Sequence, residues 1–201
     1  MKIKLVYRDN DLGMAWEGYF SPGPAVEIIQ GDICQIPCDA VVSPANSFGF
    51  MDGGLDHALS ERFGWDLQER LQEEIAGLPV GELLVGQALV IPTGDPAIPW
   101  LISAPTMRVP MRLRHSVNAY LAMKAILAAV EGHNRRPVID TIAIPGLGTG
   151  VGGLSVKIAA LQMWTAYRES VLQEMGQPVD FSEAQKRHYL LNPDEINLWD
   201  P

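Results

Sequence analysis

The loop from Ser43 to Asp56 carries the residue types best suited to chemistry in this sequence. It follows Ala40-Val41-Val42, a short apolar run typical of a buried strand, and polar loops at strand ends commonly hold functional residues. Asn46 offers an amide that both donates and accepts hydrogen bonds, and Asp52 and Asp56 offer carboxylates. Each also has a structural interpretation: a turn-forming Asn, an N-cap at Asp52, and a first-turn helix charge at Asp56.

A second candidate is the loop from Pro145 to Gly153, which holds five glycines within eight residues and joins a predicted strand to a predicted helix. Glycine lets the backbone approach a ligand closely, so successive N–H groups and the next helix N-terminus can turn toward one anion. We predict a phosphate-binding loop; the alternative is a tight turn without a ligand. Gly148, Gly150 and Gly153 match the G-x-G-x-x-G dinucleotide fingerprint, but Asp180 lies beyond the expected spacing of about 20 residues.

Strand and helix patterns alternate along the chain, which predicts a mainly parallel sheet covered by helices on both faces. Ligands bind beyond the carboxyl ends of such strands, where both loops fall. Residues 1–24 are interpreted as an extension with possible edge strands at Lys2–Tyr7 and Met14–Phe20, residues 25–176 as the domain core, and residues 177–201 as a tail that is packed or partly ordered. The core predictions are strands at Val26–Gln30, Ala40–Val42, Gln87–Ile91, Trp100–Ala104 and Val138–Ile144, and helices at Asp52–Leu78, Leu113–Glu131 and Gly153–Met175.

The composition limits the kinds of partner. A net charge of −9 argues against a protein that holds duplex nucleic acid by neutralising phosphates, but backbone N–H groups can still hold a small phosphate-bearing ligand. Cys34 and Cys38 lack a redox or zinc-site spacing and the histidines are scattered, so we expect reduced thiols, no metal and no cofactor. No apolar run approaches the roughly 18 residues of a membrane span, so we expect no membrane contact and a cytoplasmic location.

Three segments resemble, in order, the signatures of macrodomains. They are Gly31-Asp32-Ile33, the loop from Asn46 to Asp56 with its spacing of ten, and the loop at residues 146–153. The matched span runs from about Val26 to Leu172. The resemblance implies a three-layer α/β/α macrodomain with a mainly parallel, mixed central sheet, and a partner that is ADP-ribose or an ADP-ribosylated substrate.

The resemblance also implies roles for individual residues. Asp32 accepts a hydrogen bond from the adenine amino group, with the Ile33 backbone beside it. Asn46 contacts the distal ribose, and Asp56 activates a water or orients that ribose. Backbone N–H groups hold the pyrophosphate from two sides, and they belong to Gly53, Gly54 and Leu55 on the first loop and to Gly148, Thr149, Gly150 and Val151, with Gly152 beside them, on the second.

Some positions depart from the family's usual pattern. Asp52 stands where a glycine is usual, and its charge would repel pyrophosphate unless it turns to solvent or caps the helix. Asp52 is alternatively a second catalytic acid and a rival to Asp56. Gly152 stands where an aromatic residue often covers the distal ribose, which leaves that site more open. Ser43 and Ser60 stand where the family often has Asn and His.

From these features we expect an ADP-ribose-binding macrodomain that hydrolyses ADP-ribosyl esters, on protein carboxylates or in O-acetyl-ADP-ribose, without a metal. The alternative is a reader module that binds ADP-ribose without turnover, which Gly152 and Ser60 favour. Two further hypotheses are a macrodomain fold with an unrelated ligand or a structural role, and an NAD-dependent oxidoreductase that rests on the glycine fingerprint alone.

Overall fold

The computed structural model describes residues 1–20, 23, 25–133 and 135–193. The strands are β1 (Lys2–Tyr7), β2 (Val26–Gln30), β3 (Ala40–Ser43), β4 (Leu89–Pro92), β5 (Trp100–Ser103) and β6 (Thr141–Ile144). The helices are α1 (Asn10–Glu17), α2 (Gly54–Phe63), α3 (Asp66–Ala76), α4 (Asn118–Glu131), α5 (Val156–Tyr167) and α6 (Phe181–Leu190), with a 3₁₀ turn at Ile33–Gln35 and a π-helical extension of α5 at Arg168–Leu172.

The strands form one sheet in the order β2-β1-β6-β3-β5-β4, and every neighbouring pair is parallel except β4 with β5. Side chains alternate between two hydrophobic cores, because successive residues of a strand point to opposite faces. Ala40 and Val42 belong to the core covered by α1, α4 and α5, whereas Val41 belongs to the core covered by α2 and α3. This confirms the predicted three-layer α/β/α fold. The same alternation along β3 turns the Ser43 side chain toward α2.

β1 lies inside the sheet between β2 and β6, so the prediction of an edge strand at Lys2–Tyr7 is wrong. Leu5 is fully buried in one core and Val6 is almost fully buried in the other. A strand covered on both faces carries consecutive apolar residues rather than a strict alternation, and the pair Leu5-Val6 is the sequence mark of this burial.

The strand predicted at Met14–Phe20 is also wrong, because most of this segment belongs to α1 and to the turn that ends it. Asp9 is the N-cap of α1 and accepts a hydrogen bond from the Asp11 N–H. Leu12 and Trp16, four residues apart, give the helix its buried face. The first residues of the chain therefore supply both a central strand and a covering helix.

The segment after α5 packs back onto the domain. Asp180 caps α6 by accepting a hydrogen bond from the Glu183 N–H. The buried Gln162 side chain donates to the Leu191 carbonyl, and Asn192 donates to the Arg114 carbonyl. The rest of the predicted tail, residues 194–201, lies outside the described residues. Within the described part of the chain, no helix has the length and apolar character needed to cross a membrane.

We expect Leu5→Ala to lower the free energy of unfolding by about 2–5 kcal/mol, because the substitution opens a cavity in a central strand. Met14→Ala is the control: Met14 is 65% exposed on α1, so its free energy of unfolding should change by less than about 0.5 kcal/mol. Urea unfolding of both variants measures the difference. Equal, small losses would mean that β1 lies outside the cooperative core.

Candidate functional site

A cleft of about 500 Å³ opens at the carboxyl ends of β1, β2, β3 and β6. Parallel strands end at the same edge of a sheet, so the loops that follow them converge there. All of the site residues predicted from sequence line this cleft except Asp32, which lies beside it. The loop after β5 adds Thr106, Met107 and Pro110 to its wall.

The first wall of the cleft is the start of α2, which has no side-chain cap. Its N-cap is Gly53, so the prediction that Asp52 caps this helix is wrong; Asp52 is exposed on the cleft wall instead. The first N–H groups of a helix have no partner within the helix. The backbone N–H groups of Gly54, Leu55 and Asp56 have no acceptor elsewhere among the described residues. The helix dipole adds partial positive charge there, so this helix end suits an anion.

The opposite wall is the glycine loop after β6. The carbonyls of Gly148, Gly150 and Gly152 accept hydrogen bonds from backbone N–H groups at 2.8 to 3.0 Å. The N–H groups from Thr149 to Gly152 have no acceptor among the described residues. Because the carbonyls are bound by the protein and these N–H groups are not, the loop offers a row of donors to a ligand in the cleft.

Two of the glycines are not required by the protein's own packing. A Cβ added to Gly53 or to Gly150 would meet no atom within 4 Å, and neither residue adopts the left-handed backbone that favours glycine. Gly148, by contrast, has a φ of 74° and so needs to be glycine for conformational reasons. At positions 53 and 150, the lack of a side chain leaves open space in the cleft. Gly53 lies on one wall and Gly150 on the other.

Gly152 is required by close packing. A Cβ there would lie 2.5 Å from the Gly148 carbonyl oxygen and 2.8 Å from the Leu113 side chain. The loop therefore excludes the aromatic residue that the family pattern suggested for this position. Val151, which is 61% exposed and lines the cleft, is the apolar side chain that the loop presents instead.

Asp56 lies in the first turn of α2 and is held by Ser43, the last residue of β3. The fully buried Ser43 Oγ donates to Asp56 Oδ1 at 2.5 Å. Burial raises the pKa of Asp56 to about 6, and the hydrogen bond from Ser43 opposes this shift by stabilising the carboxylate. A carboxyl that titrates near neutral pH beside a cleft suits a general base.

The Asn46 side chain is bound within its own loop. Oδ1 accepts from the N–H groups of Phe48 and Phe50 at 3.1 and 3.3 Å, and Nδ2 donates to the Phe50 carbonyl at 2.8 Å. These bonds correspond to the turn-forming interpretation of Asn46. Its second Nδ2 hydrogen has no acceptor among the described residues and lies at the cleft.

Asp32 lies at the β2 end of the cleft, next to Ile33 in its wall. Its Oδ1 accepts from the Cys34 N–H at 3.2 Å and pairs with the Arg8 guanidinium at 2.9 Å. Arg8 follows β1, and sequence reasoning assigned no chemistry to that segment. The available signal was an apolar strand followed directly by Arg8-Asp9-Asn10 and a helix, which is the same strand–loop–helix pattern as the two recognised loops. The cleft-lining residues that were missed in this segment are Val6, Tyr7, Arg8, Asp9 and Leu12.

In the part of the chain that the structure describes, the metal-ligating and thiol side chains do not form a second site. Among the described residues, no group of three His, Cys, Asp or Glu side chains is arranged to hold a metal ion. Cys34 and Cys38 are buried free thiols. Burial raises the pKa of both, to about 11 for Cys38, so these thiols stay protonated at neutral pH and are poor nucleophiles.

The family profile described as Macro domain matches residues 42–163, which is more than half of the chain. The chain belongs to the macrodomain family. An uncharacterized protein of Aquifex aeolicus is 33% identical over 138 residues, which cover 69% of this chain and 78% of that protein.

Solved macrodomains share the fold at low sequence identity. The macrodomain of Mycobacterium tuberculosis DarG gives a TM-score of 0.56 at 22% identity, over 69% of this chain and 87% of that one. A single-residue mutant of the Oceanobacillus iheyensis macrodomain, in a structure with ADPR, gives a TM-score of 0.60 at 18% identity, over 84% of this chain and 89% of that one.

We expect Asp56→Asn to stabilise the protein above pH 6. The folded pKa of about 6 lies above the unfolded value, so stability falls as the pH rises from about 4 to 6, and the full penalty is present above pH 6. Asparagine keeps an acceptor for Ser43 without the charge. The expected gain in the free energy of unfolding is about 2–3 kcal/mol at pH 7.5 and about 0.5 kcal/mol at pH 4.

Urea unfolding of wild type and Asp56→Asn at both pH values measures this gain. Asp52→Asn is the matched control, because it removes the same charge from an exposed position. Equal stability of wild type and Asp56→Asn at pH 7.5 would contradict the raised pKa.

Proposed function

We propose that this macrodomain binds ADP-ribose in the cleft and hydrolyses ADP-ribosyl esters. The observation that carries the proposal is a pair of N–H rows on opposite walls of one cleft, one at the start of α2 and one at Thr149–Gly152. Neither row has an acceptor among the residues that the structure describes. A diphosphate accepts hydrogen bonds from both rows at once. Backbone N–H groups would let a chain with a net charge of −9 bind an anion mainly through its main chain.

The order of groups along the sheet edge supports an elongated ligand. Across β2-β1-β6-β3, the loops supply Asp32, then Arg8, then the glycine loop, then Asp56. Neighbouring strands are about 4.8 Å apart, so the two ends are separated by about 14 Å at the level of the sheet. ADP-ribose has the matching order of adenine, ribose, diphosphate and distal ribose, with the distal ribose beside Asp56.

Asp56 is the proposed general base. Ionised above pH 6, it accepts a proton from a water whose oxygen bonds to the carbonyl carbon of an ester on the distal ribose. The bond between that carbon and the ribose oxygen breaks, and the ribose oxygen takes the proton from Asp56. The products are ADP-ribose and a carboxylic acid, so both ADP-ribosylated protein carboxylates and O-acetyl-ADP-ribose fit the chemistry.

The second candidate function is a reader module that binds ADP-ribose without turnover. Two observations favour it: the Asn46 amide is largely engaged by its own loop, and packing at Gly152 excludes an aromatic cover over the distal ribose. The ligand is the same in both candidates, and a structure of the Oceanobacillus iheyensis macrodomain with ADPR supports it by analogy of fold. Binding and turnover must therefore be measured separately.

We expect Gly150→Ala to weaken ADP-ribose binding at least about tenfold while leaving the free energy of unfolding unchanged within about 0.5 kcal/mol. The added methyl group meets no protein atom but occupies the space proposed for the diphosphate. Gly176→Ala is the matched control, since its Cβ also meets no atom within 4 Å and it lies outside the cleft. Titration calorimetry and urea unfolding give the two measurements.

Two calorimetric results would contradict different parts of the proposal. No heat from wild type at millimolar ADP-ribose would contradict the ligand itself. Wild-type affinity in Gly150→Ala would contradict the position of the diphosphate and leave ADP-ribose binding intact.

We expect Asp56→Asn to lower the rate of ester hydrolysis about a hundredfold or more, because the water loses its proton acceptor. Asp52→Asn should retain most of the rate if Asp52 only lines the cleft, and Asn46→Ala tests the ribose contact. The substrates are a mono-ADP-ribosylated protein and O-acetyl-ADP-ribose, with release of ADP-ribose measured between pH 5 and 8. The wild-type rate should rise with pH through about 6.

Equal rates in wild type and Asp56→Asn would end the catalytic assignment. A selective loss in Asp52→Asn would transfer the role to Asp52. ADP-ribose binding by wild type without hydrolysis of either substrate would identify the reader module.

A further inference from the structure

We propose that Arg8 determines nucleobase specificity: its guanidinium plane lies against the face of the base while Asp32 accepts a hydrogen bond from the edge of the base. This inference rests on the proposed binding of ADP-ribose. It adds to that function a recognition residue from β1, a strand whose loop carried no functional assignment from the sequence.

Arg8 is distinctive in charge among the residues that line the cleft. The other charged side chains of the described wall are Asp9, Asp52 and Asp56, all acidic. Arg8 is also 73% exposed at its side chain, so its plane is open to a ligand. A single exposed cation in an otherwise acidic wall points to one contact made by this side chain.

Asp32 fixes the position of that cation. The Arg8 guanidinium pairs with Asp32 Oδ1 at 2.9 Å, and the same oxygen accepts from the Cys34 N–H at 3.2 Å. The Asp32 side chain is 42% exposed, so its carboxylate is open to accept from an amino group on a base. The pair therefore presents a flat cation and a solvent-exposed acceptor side by side.

The ion pair with Asp32 also makes a contact of Arg8 with the base more favourable than a contact with a phosphate. Arg8 lies on β1, between the Asp32 strand β2 and the glycine-loop strand β6, and the ion pair draws it toward β2. Its charge is already balanced by a carboxylate, which weakens its attraction for phosphate. The planar face of the guanidinium is not used by this ion pair, and arginine stacks readily on aromatic rings.

Among the described residues that line the cleft, the aromatic ones are Tyr7 and Phe50, and Phe50 belongs to the loop after β3, at the other end. Tyr7 is the aromatic residue of the wall nearest Arg8 in sequence, but its ring packs onto α1. A Cβ at Gly13 would lie 2.5 Å from the Tyr7 ring, and the ring meets Trp16 edge-on with centroids 6.4 Å apart. Within the described wall, Arg8 is therefore the planar group that this end offers to a nucleobase.

The test compares Arg8→Ala, Arg8→Lys and the control Arg135→Ala by titration calorimetry at 50 and 500 mM KCl. Arg135 is exposed and precedes β6, so it lies away from the cleft at the carboxyl ends of the strands. Its substitution by alanine removes the same charge as Arg8→Ala. We expect Arg8→Ala to weaken ADP-ribose binding about five- to tenfold at both salt concentrations. Arg8→Lys should behave like Arg8→Ala, because an ammonium keeps the charge but has no plane. Arg135→Ala should bind like wild type.

A second ligand tests the proposed hydrogen bond between the edge of the base and Asp32. The hypoxanthine analogue of ADP-ribose replaces the amino group with a carbonyl oxygen, which Asp32 Oδ2 would repel. Wild type should bind it at least about tenfold more weakly than ADP-ribose, and Arg8→Ala should reduce this preference because Asp32 loses its partner.

Three outcomes would overturn the proposal. The first is wild-type affinity in Arg8→Ala, and the second is wild-type affinity in Arg8→Lys together with a loss in Arg8→Ala that vanishes at 500 mM KCl. The third is equal binding of ADP-ribose and its hypoxanthine analogue by wild type. The rescue by lysine would identify a phosphate contact instead. If wild type binds no ADP-ribose at all, the proposed function fails, and that result is distinct from each of these.

Discussion

Two rows of backbone N–H groups face the cleft without acceptors among the described residues, and the site is organised around them. A backbone donor that lacks both water and protein partners raises the free energy of the fold, so these donors must stay open to solvent or to a ligand. Bound carbonyls hold the glycine loop in shape, and Gly53 leaves the start of α2 uncapped. An anion that accepts from both rows satisfies donors that the protein itself cannot satisfy.

The sequence predicted the parts of the fold that depend on local pattern. Consecutive apolar residues marked β3 and β5 as buried strands, and glycine content marked the loop after β6. The place of β1 was missed because strand order depends on which strands pair across the whole chain, and the local pattern of Lys2–Tyr7 does not contain that information. The structural interpretation of Asp52 as an N-cap is wrong because capping depends on backbone geometry, and Gly53 takes the extended N-cap conformation instead.

The contacts that give the site its chemistry join residues that are distant in sequence. Ser43 meets Asp56, and Arg8 meets Asp32, only because strand ends converge at one edge of the sheet. Neither contact follows from residue type or from the family pattern. Asp56 also shows the usual conflict between function and stability: the burial that brings its pKa near neutrality destabilises the charged form that a base requires.

The central position of β1 has a consequence for folding during synthesis. β1 pairs early with β2, which follows closely in the chain, but its other partner is β6, where Lys2 meets Thr141. A ribosome delivers the residues of β2 soon after those of β1, and the residues of β6 much later. Such long-range pairing slows folding and leaves one edge of β1 open in the nascent chain. Any ligand whose binding needs the loop after β6 can therefore stabilise the chain only once β6 and that loop have been synthesised.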